Sequence, residues 1–208
     1  MTMKRIAAWA LAVLLLGTAT PVATASPASA YCMFPVNVRW PSSTVSVTGS
    51  VPWSATVKSW INSSVQAWNG VSPSPLAYTS VTWVSSIPTG ASGLLLKYAR
   101  FSGDDQAPGT SLQALDVNHP TVSVIFSSNT ARWNWNTVGH GPYADTGVVP
   151  VDILTVAIHE VGHAGGLAHP SACGTPYTTA EQAAVMTVAW VMRRSLTSDD
   201  IAGLNAVG

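Results

Sequence analysis

Charge is what this 208-residue chain has least of, with Asp, Glu, Lys and Arg together making up 9% against about 25% in an ordinary soluble protein. The formal balance is zero, and no basic stripe or run of like charge interrupts it. Nucleic acid and anionic membrane both select for clustered Lys and Arg, so both are excluded as partners. No internal repeat and no heptad pattern is present, which excludes a solenoid and a coiled coil. The longest apolar run, Ile6 to Leu16, is shorter than the roughly 18 to 20 residues that cross a bilayer. Cysteine is nearly absent too, with Cys32 and Cys173 alone.

What is there begins with a segment of different character. Lys4 and Arg5 precede the apolar run, and Ala28-Ser29-Ala30 fits a small-x-small cleavage rule, so residues 1–30 read as a secretory signal peptide. The bulky Tyr31 before Cys32 argues against lipid attachment. The expected mature chain, residues 31–208, is one domain with a sizeable core, secreted to the extracellular space and monomeric, with no membrane contact after cleavage. In that oxidising compartment one disulfide between Cys32 and Cys173 is the economical reading. The competing reading is a free Cys32 thiolate able to reach a metal.

Along the mature chain, Val36 to Val47 reads as an opening strand. Val57, Trp60, Ile61, Val65 and Trp68 recur at helical spacing between Ser54 and Asn69, with Gly70 and Pro73 as the stop and both tryptophans expected in the core. Strands follow around Ala77 to Val84, Leu94 to Phe101, Ser111 to Val117 and Thr121 to Phe126. Residues 127–150, holding Trp133, Trp135, Gly139, Gly141, Pro142 and Gly147, read as an irregular loop too long to be a mere connection. A helix begins after Asp152. The order implies a mixed α/β domain of the α+β type.

The segment His159-Glu160-Val161-Gly162-His163-Ala164-Gly165-Gly166-Leu167-Ala168-His169 carries the chemistry. Residues four apart share a helix face, so His159 and His163 can present two imidazoles to one metal ion. Asp152 is a good N-cap, and Ile153, Leu154, Val156, Ala157, Ile158 and Val161 supply apolar surface. Gly165 and Gly166 can end the helix in the left-handed conformation and return the chain so that His169 becomes a third ligand. Three neutral imidazoles with one open position describe a catalytic zinc site, in which a bound water titrates near 7. Glu160, one residue beyond a ligand, is placed as general base. A His-Glu pair with one further His arises by chance often. All five fixed positions together arise in a chain of this size on the order of once in ten thousand.

These residues resemble the metzincins, and within them the matrixin-like secreted bacterial peptidases, a likeness that extends over Asp152 to Gly208. The resemblance implies a metzincin fold: a twisted mixed β-sheet with an N-terminal helix, an active-site helix and a C-terminal helix. It implies a methionine turn beneath the metal, which Ala184-Val185-Met186 fits, so Met186 is the floor. It implies a substrate-pocket wall from Thr187 to Arg194, where Trp190 would line the pocket. Leu196 to Leu204 resembles the last matrixin helix, capped by Thr197 or Ser198, with Asp199 or Asp200 bonding backbone near the methionine turn. Val188 stands where astacin-like and serralysin-like enzymes keep a tyrosine. Strand-like sequence begins soon after the signal, so no inhibitory propeptide is expected. His119 and His140 lack the family's structural-zinc spacing. Calcium at Asp104, Asp105 or Asp145 is possible but not indicated.

The expected function is therefore a secreted zinc endopeptidase acting on extracellular protein or peptide, with one catalytic Zn2+ and the substrate laid along the edge strand Ser111 to Val117. Two other classes fit the residues less closely. One is a zinc-stabilised binding or adhesion module with little turnover, which would have no use for Glu160. The other is an amidase acting on cell-wall peptides.

Overall fold

The computed structural model describes residues 32–33, 40, 42–71, 74, 76–114, 120–173, 178–188 and 191–207. The signal segment, residues 36–39 and 41 of the expected first strand, His119 and Trp190 lie outside the described residues.

The elements in chain order are β1 (Cys32–Met33), β2 (Thr44–Val45), β3 (Val47–Ser50), α1 (Ala55–Gln66), β4 (Ala77–Tyr78), β5 (Thr82–Trp83) and β6 (Gly93–Ala99), then β7 (Gly109–Ala114), β8 (Thr121–Ser127), β9 (Trp133–Asn136), β10 (Val149–Asp152) and α2 (Ile153–Ala164). After α2 come β11 (Leu167–Ala168), a 3-10 turn (Pro170–Cys173), α3 (Thr179–Ala183) and α4 (Ser198–Val207). The main sheet has five strands in the order β5-β3-β6-β8-β7. Its first four strands run parallel, and β7 returns antiparallel to β8 with Ser111 opposite Val124. This is the mixed α/β architecture expected from the element pattern.

Sheet position follows composition. The central strands β6 and β8 bury Leu94, Leu95 and Leu96 and Val122, Val124 and Phe126, as strands covered on their faces must. The outer β7 is more polar and leaves Leu112 exposed. Helices α1 and α2 pack together over the sheet, and one cluster joins Ile61, Val65 and Trp68 to Leu94, Phe126, Val156, Ile158 and Val161. The indole of Trp68 also donates to the Ile158 carbonyl at 3.0 Å. Trp60 differs from expectation: it is 43% exposed, because α1 turns only one face to the core and Trp60 falls on its flank.

The stretch 127–150 is also more regular than its Gly and Pro content suggested. Strands β9 and β10 pair in parallel from Trp133 opposite Val149 to Asn136 opposite Asp152. Buried Arg132 organises the return. Its guanidinium donates to the carbonyls of Asp105, Gly147 and Ala144 and stacks over Trp133 and Tyr143. The indoles of Trp133 and Trp135 donate to the Asp104 and Ser127 carbonyls.

Cys32 and Cys173 form a disulfide across 141 positions of sequence, with Cα atoms 5.7 Å apart. The free-thiolate reading of Cys32 is thereby overturned. The bridge sits beside a short antiparallel pair, β1 with β11, in which Cys32 faces Ala168. Both features hold the chain on either side of His169. No described helix is long and apolar enough to cross a membrane.

Candidate metal centre

Helix α2 is built to carry a site. Its N-cap, Asp152, accepts from the Thr155 amide at 2.9 Å and the Thr155 hydroxyl at 2.7 Å, which satisfies one orphan donor of the first turn. The same carboxylate takes Nε of Arg194 at 3.0 Å and a second guanidinium nitrogen. Asp152 is fully buried, and these bonds hold its pKa below the usual carboxylate value although burial alone would raise it. At the other end the Trp40 indole donates to the Ala164 carbonyl.

The helix then stops as the glycines require, with the work divided between them. Gly165 keeps a helical φ of −78°, and a Cβ there would crowd Leu204 at 3.1 Å. Gly166 alone takes the left-handed turn, at φ +99°. Two residues of β11 follow, and His169 arrives over α2.

The outcome is three imidazoles whose Nε2 atoms converge. Nε2 of His169 lies 3.0 Å from Nε2 of both His159 and His163, and the three residues form a group able to hold a metal ion. The remaining ring nitrogens fix the tautomers. Nδ1 of His159 lies 2.8 Å from the Val185 carbonyl, and Nδ1 of His163 lies 2.7 Å from that of Leu167. A carbonyl can only accept, so both Nδ1 atoms carry hydrogen and both Nε2 atoms point bare lone pairs inward. One proton on His169 Nε2 could relieve one contact, not two. A cation relieves both, and zinc bound tetrahedrally at about 2.0–2.1 Å would set its imidazole nitrogens roughly 3.3 Å apart. The carbonyl partners are the outer bonds that orient metal-binding histidines.

Burial keeps the triad unprotonated. It pushes His159 down to about 4, helped by positive charge at His169 and Arg193, and it lowers His163 and His169 in the same direction. Glu160 is buried beside them, and burial pushes its carboxyl up to about 8 against the lowering effect of a hydrogen bond from Ser111. The Ser111 hydroxyl lies 2.7 Å from the Glu160 carbonyl and 3.1 Å from its carboxylate. Gly109 fits the same approach, since a Cβ there would stand 2.6 Å from Val156 and 3.1 Å from the Glu160 carboxylate.

Below the histidines, Met186 is buried with its sulfur against Gly162, where a Cβ would come within 2.3 Å of it. Asp200, rather than Asp199, ties this turn to α4: its two oxygens accept from the amides of Val185 at 3.0 Å and Met186 at 3.2 Å. Thr197 is the residue that caps α4, exchanging bonds with Asp200. Asp199 faces Asp200 and Glu181 instead, and burial together with those charges raises it to about 6.

The histidines open into a cleft of about 780 Å³. One wall is the edge strand β7 with Gly109 and Ser111, and the other is formed by Val185, Thr187, Val188 and Arg193. His140 and Tyr143 from the 137–148 loop border it, and His140 Nδ1 accepts the Asp152 amide at 3.2 Å. Of the nominated edge strand, Ser111 borders the cleft, and of the Thr187 to Arg194 wall, Thr187, Val188 and Arg193 do; residues 115–117 and 189–190 lie outside the described residues. The roles of Ser111, Gly109, Arg194 and His140 were not read from sequence, because each depends on a contact at least 12 positions away. Compared with protein-family models and with curated proteins, the chain matches none.

Proposed function

We propose that this protein is a secreted, zinc-dependent endopeptidase of metzincin type, with His159, His163 and His169 holding the metal and Glu160 as general base. The observation that carries the reading is the meeting of three Nε2 lone pairs, two of them fixed by carbonyl bonds to Nδ1, one residue from a buried carboxyl. When bound, zinc supplies Lewis acidity at a peptide carbonyl and lowers the pKa of a water towards 7.

The rest falls to the chain's own groups. Glu160 takes the proton from the attacking water and returns it to the leaving amine. The Ser111 hydroxyl, 3.1 Å from the Glu160 carboxylate, holds it towards the cleft. An extended peptide adds a strand to the open edge of β7, whose only partner among the described residues is β8. Met186 and Gly162 form a close apolar floor that keeps the ligand helix at fixed height. The disulfide belongs to an oxidising compartment and supports secretion.

The test is zinc content and casein or peptide cleavage for the wild type beside Glu160→Ala. The expected result is zinc retained in both and cleavage lost by several orders of magnitude in the variant. Equal cleavage in both would refute the assignment of Glu160.

A further inference from the structure

Arg193 and Arg194 are neighbours with opposite circumstances. Arg194 is neutralised by buried Asp152. Arg193 lines the cleft and makes no ion pair among the described residues. Its guanidinium donates to the Thr187 carbonyl at 3.4 Å and to the Gln182 carbonyl, which among the described residues leaves three of its five N–H donors without an acceptor. Asp200 is the carboxylate within electrostatic reach, but both its oxygens are occupied by the Val185 and Met186 amides and by Thr197. Arg193 also lies near enough to the ligands to disfavour a proton on His159. Its backbone is pinned, the amide donating to the Thr155 hydroxyl at 2.9 Å. Thr155 is itself held by the Asp152 cap, so Arg193 is anchored to the helix that bears the histidines.

An arginine that is half-buried, fixed in place and short of a counter-charge on the wall of a cleft has most to gain from a planar anion. We infer that Arg193 selects a carboxylate on the substrate, so that the peptide accepted by this site is acidic near the scissile bond. The inference rests on the peptidase reading and names its substrate class. Neighbouring Thr187 and Val188 shape the same wall without adding charge, and the other non-histidine charges that line the cleft among the described residues, Glu160 and Asp145, are of the sign an acidic substrate avoids. The selecting force is therefore confined to one residue. A carboxylate can come from an Asp or Glu side chain or from a peptide C-terminus.

The test uses labelled hexapeptides in two series. One has blocked ends and a single Asp, Glu, Asn or Gln at each position in turn, and the other has a neutral sequence with a free or amidated C-terminus. kcat/KM is measured with the zinc-loaded wild type, and binding by fluorescence anisotropy with zinc-loaded Glu160→Gln. The expected result is a preference of at least about tenfold for carboxylate over amide in one series, which identifies its source. Because Arg193 also ties two carbonyls, the ratio is the readout rather than the absolute rate. It should fall to about one in Arg193→Met, survive in Arg193→Lys and turn in favour of Lys-containing peptides in Arg193→Glu. A wild-type ratio near one, or a ratio unchanged in Arg193→Met, overturns the inference. Acid-selective binding that Arg193→Met abolishes, with no peptide cleaved, would remove the peptidase reading and leave the carboxylate selection standing.

Discussion

Replacing Arg194 by Met tests how the ligand helix is anchored. Asp152 is fully buried, and its carboxylate serves the α2 amide of Thr155, the Thr155 hydroxyl and the Arg194 guanidinium. Removing the cation leaves a buried carboxylate with uncharged partners only. Breaking one side of a buried ion pair costs about 3–5 kcal/mol. The Arg194 side chain is 36% exposed, so water can take part of its place and the expected loss falls to about 2–4 kcal/mol. For a domain of this size that is a fall in Tm of roughly 4–16 °C. Asp152→Asn in the same background removes the stranded charge while keeping an oxygen for the Thr155 amide. The double variant is therefore expected to be more stable than Arg194→Met alone. Urea unfolding of the metal-free proteins at pH 7 measures all three. A loss below about 1 kcal/mol for Arg194→Met, or a double variant less stable than the single one, would refute the reasoning.

Ser111→Ala should lower kcat about tenfold with KM little changed and zinc content intact, because the hydroxyl holds a base that acts only during turnover; steady-state kinetics checks it. Asp199 is held at about 6 against an ordinary 3.8, so the folded state keeps its proton longer than the unfolded chain and stability falls as pH rises between those values. Asp199→Asn should therefore leave stability unchanged at pH 3.5 and raise it by about 1 kcal/mol at pH 7, solvent screening included; urea titrations at the two pH values decide. Gly162→Ala places a methyl 2.3 Å from the Met186 sulfur and 2.7 Å from the Trp68 ring, and the overpacking should cost about 1–3 kcal/mol in a thermal melt.

The parts legible in the sequence were those written in short-range pattern. Asp152 as cap, the apolar face of α2, the glycine turn and the order of central strands each lie within one element, and the structure keeps them. The Cys32–Cys173 bridge was legible by elimination. Less was visible where few residues pair across long separations. Strands β9 and β10 are four residues each, too short for alternation to stand out among glycines, and β1 and β11 have two each. Trp60 was misplaced because helical spacing reports a stripe and not its edge. The capping box from Thr178 to Glu181 was present as a Thr-x-x-Glu pattern and could have announced α3. The tie of Arg194 to Asp152, and the contrast it creates with Arg193, spans 42 positions and has no local signature at all.

The claim on which the rest depends is that the three converging Nε2 atoms hold zinc. X-ray absorption at the zinc edge of the purified protein tests it most directly. The account predicts one zinc per chain with three imidazole nitrogens at about 2.0–2.1 Å and a lighter oxygen contribution in the open position. A sulfur scatterer at about 2.3 Å, or a protein that takes up no zinc while His159, His163 and His169 remain intact, would contradict it.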